Sequence, residues 1–175
     1  MNPSTPHPSP SELRALYLAD PEQALATNHA TTSGPHPVDP FHTQVRPSKE
    51  GTQPWPVSVH SAVGGPYDAP CPGDLLCAAL AACQDASIRM VARAMGIALT
   101  ELQVQVHATF DARGALGVQA GVPVGYQHIR TDVHIKAQDG TPPELLKKLQ
   151  TAAERCCVVS QTLKQPPVME VAFHG

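Results

Sequence analysis

Nine consecutive residues, 75 to 83 (LLCAALAAC), carry only aliphatic side chains and thiols. A helix through them is apolar on every face rather than along one stripe, as a helix enclosed by other elements must be. The surrounding signals set its limits at residues 71 to 96. Pro72 suits a first helical turn, where its missing N–H costs nothing, and Asp74 is favourable near the positive end of the helix dipole. Gly96 is a natural stop. The run turns polar after Gln84 and is read as too short for a bilayer, which needs about twenty apolar residues. The expectation is a central, buried helix of a soluble protein.

The rest of the chain must supply what covers it. At 175 residues there is room for one domain with some extra length. Aromatics are 4% of the sequence, so the core has to be built from Leu, Val, Ile and Ala. A net charge of −3, with twelve Lys and Arg, leaves no electrostatic footprint for nucleic acid or an anionic membrane. The start, MNPSTPHPSPSE, has neither the basic residues nor the apolar run of a secretory signal, which points to the cytoplasm. Five cysteines, Cys71, Cys77, Cys83, Cys156 and Cys157, are an odd number and argue against a structural disulfide framework.

In chain order, residues 1 to 8 read as disordered, and Ser9-Pro10-Ser11-Glu12 has the form of a capping box opening a first short helix. Asp20-Pro21 opens a second, and residues 28 to 40 read as loop. Residues 41 to 46 and 55 to 62 read as strands, and Gly64-Gly65-Pro66 turns the chain towards the apolar helix. Beyond it, Leu102, Val104, Val106, Ala108 and Phe110 alternate with polar residues, and a second strand places Ile129, Thr131, Val133 and Ile135 on one face. These two form a hairpin-like unit covered on one side. Thr141-Pro142-Pro143-Glu144 reads as a capping box for a helix in which Leu145, Leu149, Ala152 and Cys156 recur. A short turn over residues 160 to 163 and a last strand over 168 to 173 complete an α+β order with helices packed on sheet.

Two thiol sites stand out: Cys83 within the apolar helix, and the Cys156-Cys157 pair. A buried thiol is an inert small hydrophobe by default, because burial disfavours the thiolate that does the chemistry. The segments around these cysteines, PGDLLCAALAACQDAS and AAERCCVVSQTL, joined by GYQHIRTDVHI, resemble the OsmC and organic hydroperoxide resistance (Ohr) proteins over roughly residues 54 to 174. That resemblance implies an OsmC-like fold over residues 41 to 175, preceded by a tail with short helices over residues 1 to 40. It further implies a swapped homodimer with sheets wrapped around buried central helices and active sites at the subunit interface.

The implied activity is a thiol-dependent peroxidase for organic hydroperoxides, with no metal and no organic cofactor. Cys83 would attack the peroxide and become a sulfenic acid, Cys157 would condense with it to a disulfide, and a dithiol such as lipoamide would restore both. Cys157 takes the register of the family's Cys-Pro-hydrophobic-Ser, with Val158 in place of Pro; the residue pair leaves Cys156 open as the resolving thiol. Relatives hold the thiolate with an Arg and a helix-start Glu. In this sequence Gly73 stands where the Ohr-type Glu falls, so Asp74 is the candidate carboxylate, and Arg46 and His60 are the candidate cations. Cys71 and Cys77 read as core or loop thiols. The nine histidines include no His-x-His or close Cys-x-x-Cys set, so a metal site is not expected. The alternatives are an OsmC-fold ligand-binding or stress-associated dimer in which Cys83 is structural, and a structural homodimer whose first forty residues cap the fold or recruit a partner.

Overall fold

The structure, a computed structural model, describes residues 8–34, 38–48 and 51–175. The disorder expected for residues 1 to 8 falls almost wholly outside them. Ser9 caps α1 (Pro10–Ala19): its hydroxyl accepts from the Glu12 N–H, and the Glu12 carboxylate accepts from the Ser9 N–H at 2.6 Å. The second start signal yields a single 3-10 turn, Pro21–Ala24.

Residues 28 to 40 are not all loop. Within them β1 (Ala30–Ser33) pairs antiparallel with β2 (His42–Pro47), which pairs antiparallel with β3 (Trp55–Ser58). All four residues of β1 are exposed. Without a buried face there is no alternation to read, and the β-branched Thr31 and Thr32 are its one local cue. The second expected strand stops at Ser58, because His60 accepts the Ala62 N–H and starts a 3-10 turn, Ser61–Val63, that Gly64 ends at φ 91°. His42 ties this sheet to the segment before the apolar helix, meeting Asp39 at 2.9 Å and Asp68 at 3.2 Å.

Helix α2 (Pro72–Ala94) is 23 residues long. Among the described residues it is the one helix long and apolar enough by length and composition to cross a membrane, with a mean hydropathy of 1.4 over its most apolar stretch. This corrects the reading of the run as too short: alanines, Ile88, Met90 and Val91 extend the apolar character past Gln84. The helix is covered on one side. Leu80, Ser87, Ile88 and Ala92 are buried, while Ala78, Ala79, Ala82, Ala86 and Met90 are exposed.

The covering elements are the predicted ones. Strand β4 (Leu99–Thr109) runs antiparallel to β5 (His128–Ala137), Val104 opposite Val133 and Val106 opposite Thr131. Leu102, Val104, Val106 and Ala108 are half-buried and their neighbours exposed, as the alternation requires. The connection between the strands contains one helical turn, α3 (Ala112–Ala115), capped by Asp111. Among the described residues every strand pairing is antiparallel, so the architecture is α+β.

Helix α4 (Pro143–Cys156) forms as expected, but its capping box does not. Pro142 occupies the cap position, and Thr141 Oγ instead donates to the Gln138 carbonyl at 2.7 Å. The turn expected at residues 160 to 163 lies inside a second helix, α5 (Val158–Lys164). Cys157 between the two helices is extended, at φ −78° and ψ 98°, and redirects the chain. The last expected strand is absent: residues 166 to 175 carry no strand or helix, and Val168, Met169 and Phe173 are more than four-fifths exposed. A strand needs a neighbour to pair with, and no described strand lies beside this segment.

The core sits where α2, α4 and the end of the β4–β5 ribbon meet. Ala92, Ile97 and Leu149 are buried there, packed by Met95, Leu99, Ile135 and Leu146. Leu149 is 0% exposed. Its replacement by Ala is expected to cost about 2–5 kcal/mol through lost burial and a residual cavity. Urea unfolding measures this; a loss below about 1 kcal/mol would show that the site collapses freely.

Candidate active site

Cys83 lies one helical turn beyond the buried Leu80, half-buried on the side of α2 that meets α4 and α5. Cys157 is brought to it by the α4–α5 break. Leu149 and Ala153 bury one face of α4 against α2, and Cys157, 0% exposed, continues that face where the chain leaves the helix. The two thiols are neighbours, close enough that Cys83 acts on the Cys157 sulfur. Cys156 faces the other way and is exposed. All five thiols are free.

Burial pushes the Cys157 thiol above its usual value; the Ser160 N–H opposes this and the neighbouring Cys83 sulfur reinforces it. The net rise keeps Cys157 protonated at neutral pH, which suits a thiol that waits rather than one that attacks. Iodoacetamide at about pH 8 is therefore expected to label Cys156 and spare Cys157 in the native chain. Peptide masses should show Cys157 labelling rise as the pH is carried through its elevated value. Equal labelling of both at the lower pH would contradict this environment.

A cleft of about 590 Å³ opens next along α2, lined by residues close to the pair in sequence, Gln84 and Ser160 among them, but by neither cysteine itself. Leu80, Gln84 and Ile88 line one side, Ile129, Thr131, Val133 and Ile135 another, and Leu149, Ser160 and Leu163 the floor. This explains why Thr131 and Val133 are exposed although their face points inward: they border the cleft rather than packing against side chains. Lys164 Nζ donates to the Glu154 carboxylate at its edge. The sequence reading missed Gln84, Glu154 and Lys164. The last two are ten residues apart across a helix break, which no single-helix spacing rule detects.

Asp74 and His60 come together elsewhere. Asp74 is nine residues before Cys83, about 13 Å along a helix axis. Its carboxylate accepts from the Cys71 N–H at 2.8 Å and from the Tyr67 hydroxyl at 3.2 Å, closing the first turn of α2. Burial alone would raise this carboxyl, but hydrogen bonds from the Cys71 backbone, the Cys71 thiol and Tyr67 outweigh it and hold it below the usual value. The His60 ring lies tilted against Tyr67 at 4.4 Å and meets Phe110 edge-on at 5.7 Å. Arg46 is exposed on β2, opposite Thr31.

Gly73 has a specific neighbour. A Cβ there would sit 2.0 Å from the Tyr126 hydroxyl, so the phenol fills the space a side chain at this position would take. The sequence offered one hint of this, a glycine in the first turn of an otherwise strong helix. Cys71 and Cys77 border the same cluster; burial, then the Asp74 charge, pushes Cys77 upward. Among the described residues no group of three or more His, Cys, Asp or Glu side chains is placed to hold a metal ion.

With the thiol pair and its cleft in place, the comparisons define the class. The family model described as OsmC-like protein matches residues 64–172. The chain belongs to the OsmC-like protein family. Solved structures of the same fold include an OsmC-like protein from Mycoplasma pneumoniae, at 14% identity and TM-score 0.63 over 81% of this chain and 89% of that one. The organic hydroperoxide resistance protein of Legionella pneumophila is similar at 20% identity and TM-score 0.58, over 81% and 91%. That of Elizabethkingia anophelis is similar at 21% and 0.58 over the same shares. Among curated proteins none matches the chain.

Proposed function

We propose that the protein is a thiol-dependent peroxidase that reduces organic hydroperoxides, with Cys83 as the peroxidatic and Cys157 as the resolving thiol. The observation that carries this reading is that Cys83 neighbours the fully buried Cys157, so that two residues far apart in the sequence meet at one place. Neighbouring thiols can be joined as a disulfide once their Cβ atoms reach bridging distance. The apolar walls of the adjoining cleft suit the organic part of a hydroperoxide, and similarity to hydroperoxide resistance proteins supports the same substrate class.

Cys83 attacks the terminal peroxide oxygen, the alcohol departs, and a sulfenic acid remains. The Cys157 thiol then condenses with it, releasing water and leaving a disulfide that a dithiol such as dihydrolipoamide reduces. Five free thiols suit a reducing compartment, and we place the protein in the cytoplasm. The uncovered side of α2 and the unpaired residues 166 to 175 support a homodimer in which the partner supplies the missing cover and the exchanged strand.

A second reading is an OsmC-fold dimer that binds an apolar ligand in the cleft with Cys83 as a structural thiol. It is favoured by the location of Asp74 and His60 at the far end of α2, outside hydrogen-bond reach of the thiol pair. Consumption of cumene hydroperoxide with dihydrolipoamide as reductant separates the two. The peroxidase reading expects turnover and, with limiting peroxide, a peptide linked through Cys83 and Cys157; the ligand-binding reading expects neither.

A further inference from the structure

The geometry points to a third redox thiol: Cys156 passes the oxidation of the buried pair out to the external dithiol through a transient bond with Cys157. This inference rests on the peroxidase reading and concerns the step that regenerates it. Cys157 is 0% exposed, and its partner Cys83 is half-buried. Thiol–disulfide exchange requires the attacking thiolate to reach a sulfur of the disulfide. A Cys83–Cys157 bond would offer a bulky dithiol little of either sulfur. Cys156, joined to Cys157 by one peptide bond, is exposed. It lies in a separate surface groove of about 450 Å³ with Arg155, Val158, Gln161, Thr162 and Gln165.

The arrangement follows from the break between α4 and α5. Were residues 143 to 164 one continuous helix, adjacent side chains would diverge by about 100° and stay fixed. Instead Cys156 ends one helix and Cys157, extended, precedes the next. The first thiol therefore faces solvent and the second the core, and the joint between them is a single non-helical residue. A bond between adjacent cysteines spans Cα atoms about 3.8 Å apart, below the usual range of about 4.4–6.8 Å, and such strain makes a disulfide easier to reduce. That property suits the last bond in the chain, the one presented to the reductant.

The steps balance. After peroxide reduction the Cys83–Cys157 disulfide holds the two oxidising equivalents. The Cys156 thiolate attacks the Cys157 sulfur, the Cys83–Cys157 bond breaks, and Cys83 leaves as a thiolate that takes up the proton Cys156 lost. The external dithiol attacks the Cys156 sulfur and forms a mixed disulfide, the Cys156–Cys157 bond breaks, and Cys157 leaves as a thiolate that takes up the proton the dithiol lost. Its second thiol then closes on the first, expelling Cys156 and leaving the oxidised dithiol as a cyclic disulfide. One hydroperoxide and one dithiol become one alcohol, one water and one disulfide.

The test starts from full-length wild type, Cys156→Ser and Cys156→Ala, each oxidised with diamide, which joins thiols without any hydroperoxide. Dihydrolipoamide is added, samples are quenched and alkylated, and the return of free Cys83 is followed by peptide mass. Both variants are expected to regain Cys83 at least about tenfold more slowly than wild type. In wild type the peptide CCVVSQTLK should pass through a form lighter by two hydrogens. Equal recovery in wild type and both variants overturns the relay, as does failure of diamide to link Cys83 to Cys157 in any of them. Hydroperoxide consumption is read separately. A chain inert to hydroperoxide but slowed by loss of Cys156 keeps the relay and loses the peroxidase reading. Turnover indifferent to Cys156 does the reverse.

Discussion

Replacing Cys83 by Ser is expected to lower hydroperoxide turnover by on the order of 10³-fold or more, because a serine hydroxyl is not ionised at neutral pH and does not form a sulfenic acid. Replacing Cys157 by Ser has a different signature. The first equivalent of hydroperoxide is still consumed, and the sulfenic acid then persists at Cys83, where dimedone traps it. Continued exposure should drive Cys83 to the irreversible sulfinic state. Stopped-flow consumption of cumene hydroperoxide, with peptide masses at each stage, resolves these outcomes. Turnover that survives Cys83→Ser would remove the peroxidase and leave an OsmC-like fold with a structural thiol. A dimedone adduct on Cys157 in the wild type would instead reverse the two roles.

Removing residues 166 to 175 is expected to weaken self-association by at least about 100-fold, equivalent to about 2.8 kcal/mol. The segment carries Val168, Met169, Val171 and Phe173 at 73–94% exposure. Burial of these apolar side chains in a partner is the favourable contribution that truncation removes, and a two-fold dimer loses it twice. Sedimentation of the full-length and truncated chains over a dilution series measures the change. A truncated chain that associates as tightly as the full one would show that the tail is not exchanged.

The elements most legible in the sequence were those whose periodicity is imposed by their own packing. The alternation from Leu102 to Ala108 was readable because one face of the β4–β5 ribbon is covered and the other is not. The Ser9 capping box was readable because both of its hydrogen bonds are local. Thr141 to Glu144 has the same local pattern, and it failed because Pro142 took the cap. Strand β1 was hidden for the opposite reason: with no buried face, nothing in its pattern distinguishes it from loop.

Residues 168 to 173 read as a strand from their apolar side chains, but no described strand lies beside them to pair with, and none forms. The extent of α2 was visible, but the enclosure read from its all-round apolar character is not found, since the covering side chains lie on only one side of it. The candidate site divides similarly. Cys83 and Cys157 were linked through resemblance to a family rather than through spacing, and the structure makes them neighbours. Asp74 was legible as a helix-start carboxylate, and its partners Tyr67 and Cys71 are local. No sequence rule connects Tyr126 to Gly73, because the contact crosses from the approach to β5 onto the first turn of α2.

The β4–β5 ribbon has a further consequence. Its strands run for 11 and 10 residues and pair only with each other among the described residues, so each leaves an outer row of amide and carbonyl groups open. Such rows are templates for any extended peptide that arrives. A chain that presents them is therefore adhesive along two rails. Under the homodimer proposed above, dilution acts on it as heat acts on other proteins, and its resistance to proteases is expected to rise with its own concentration.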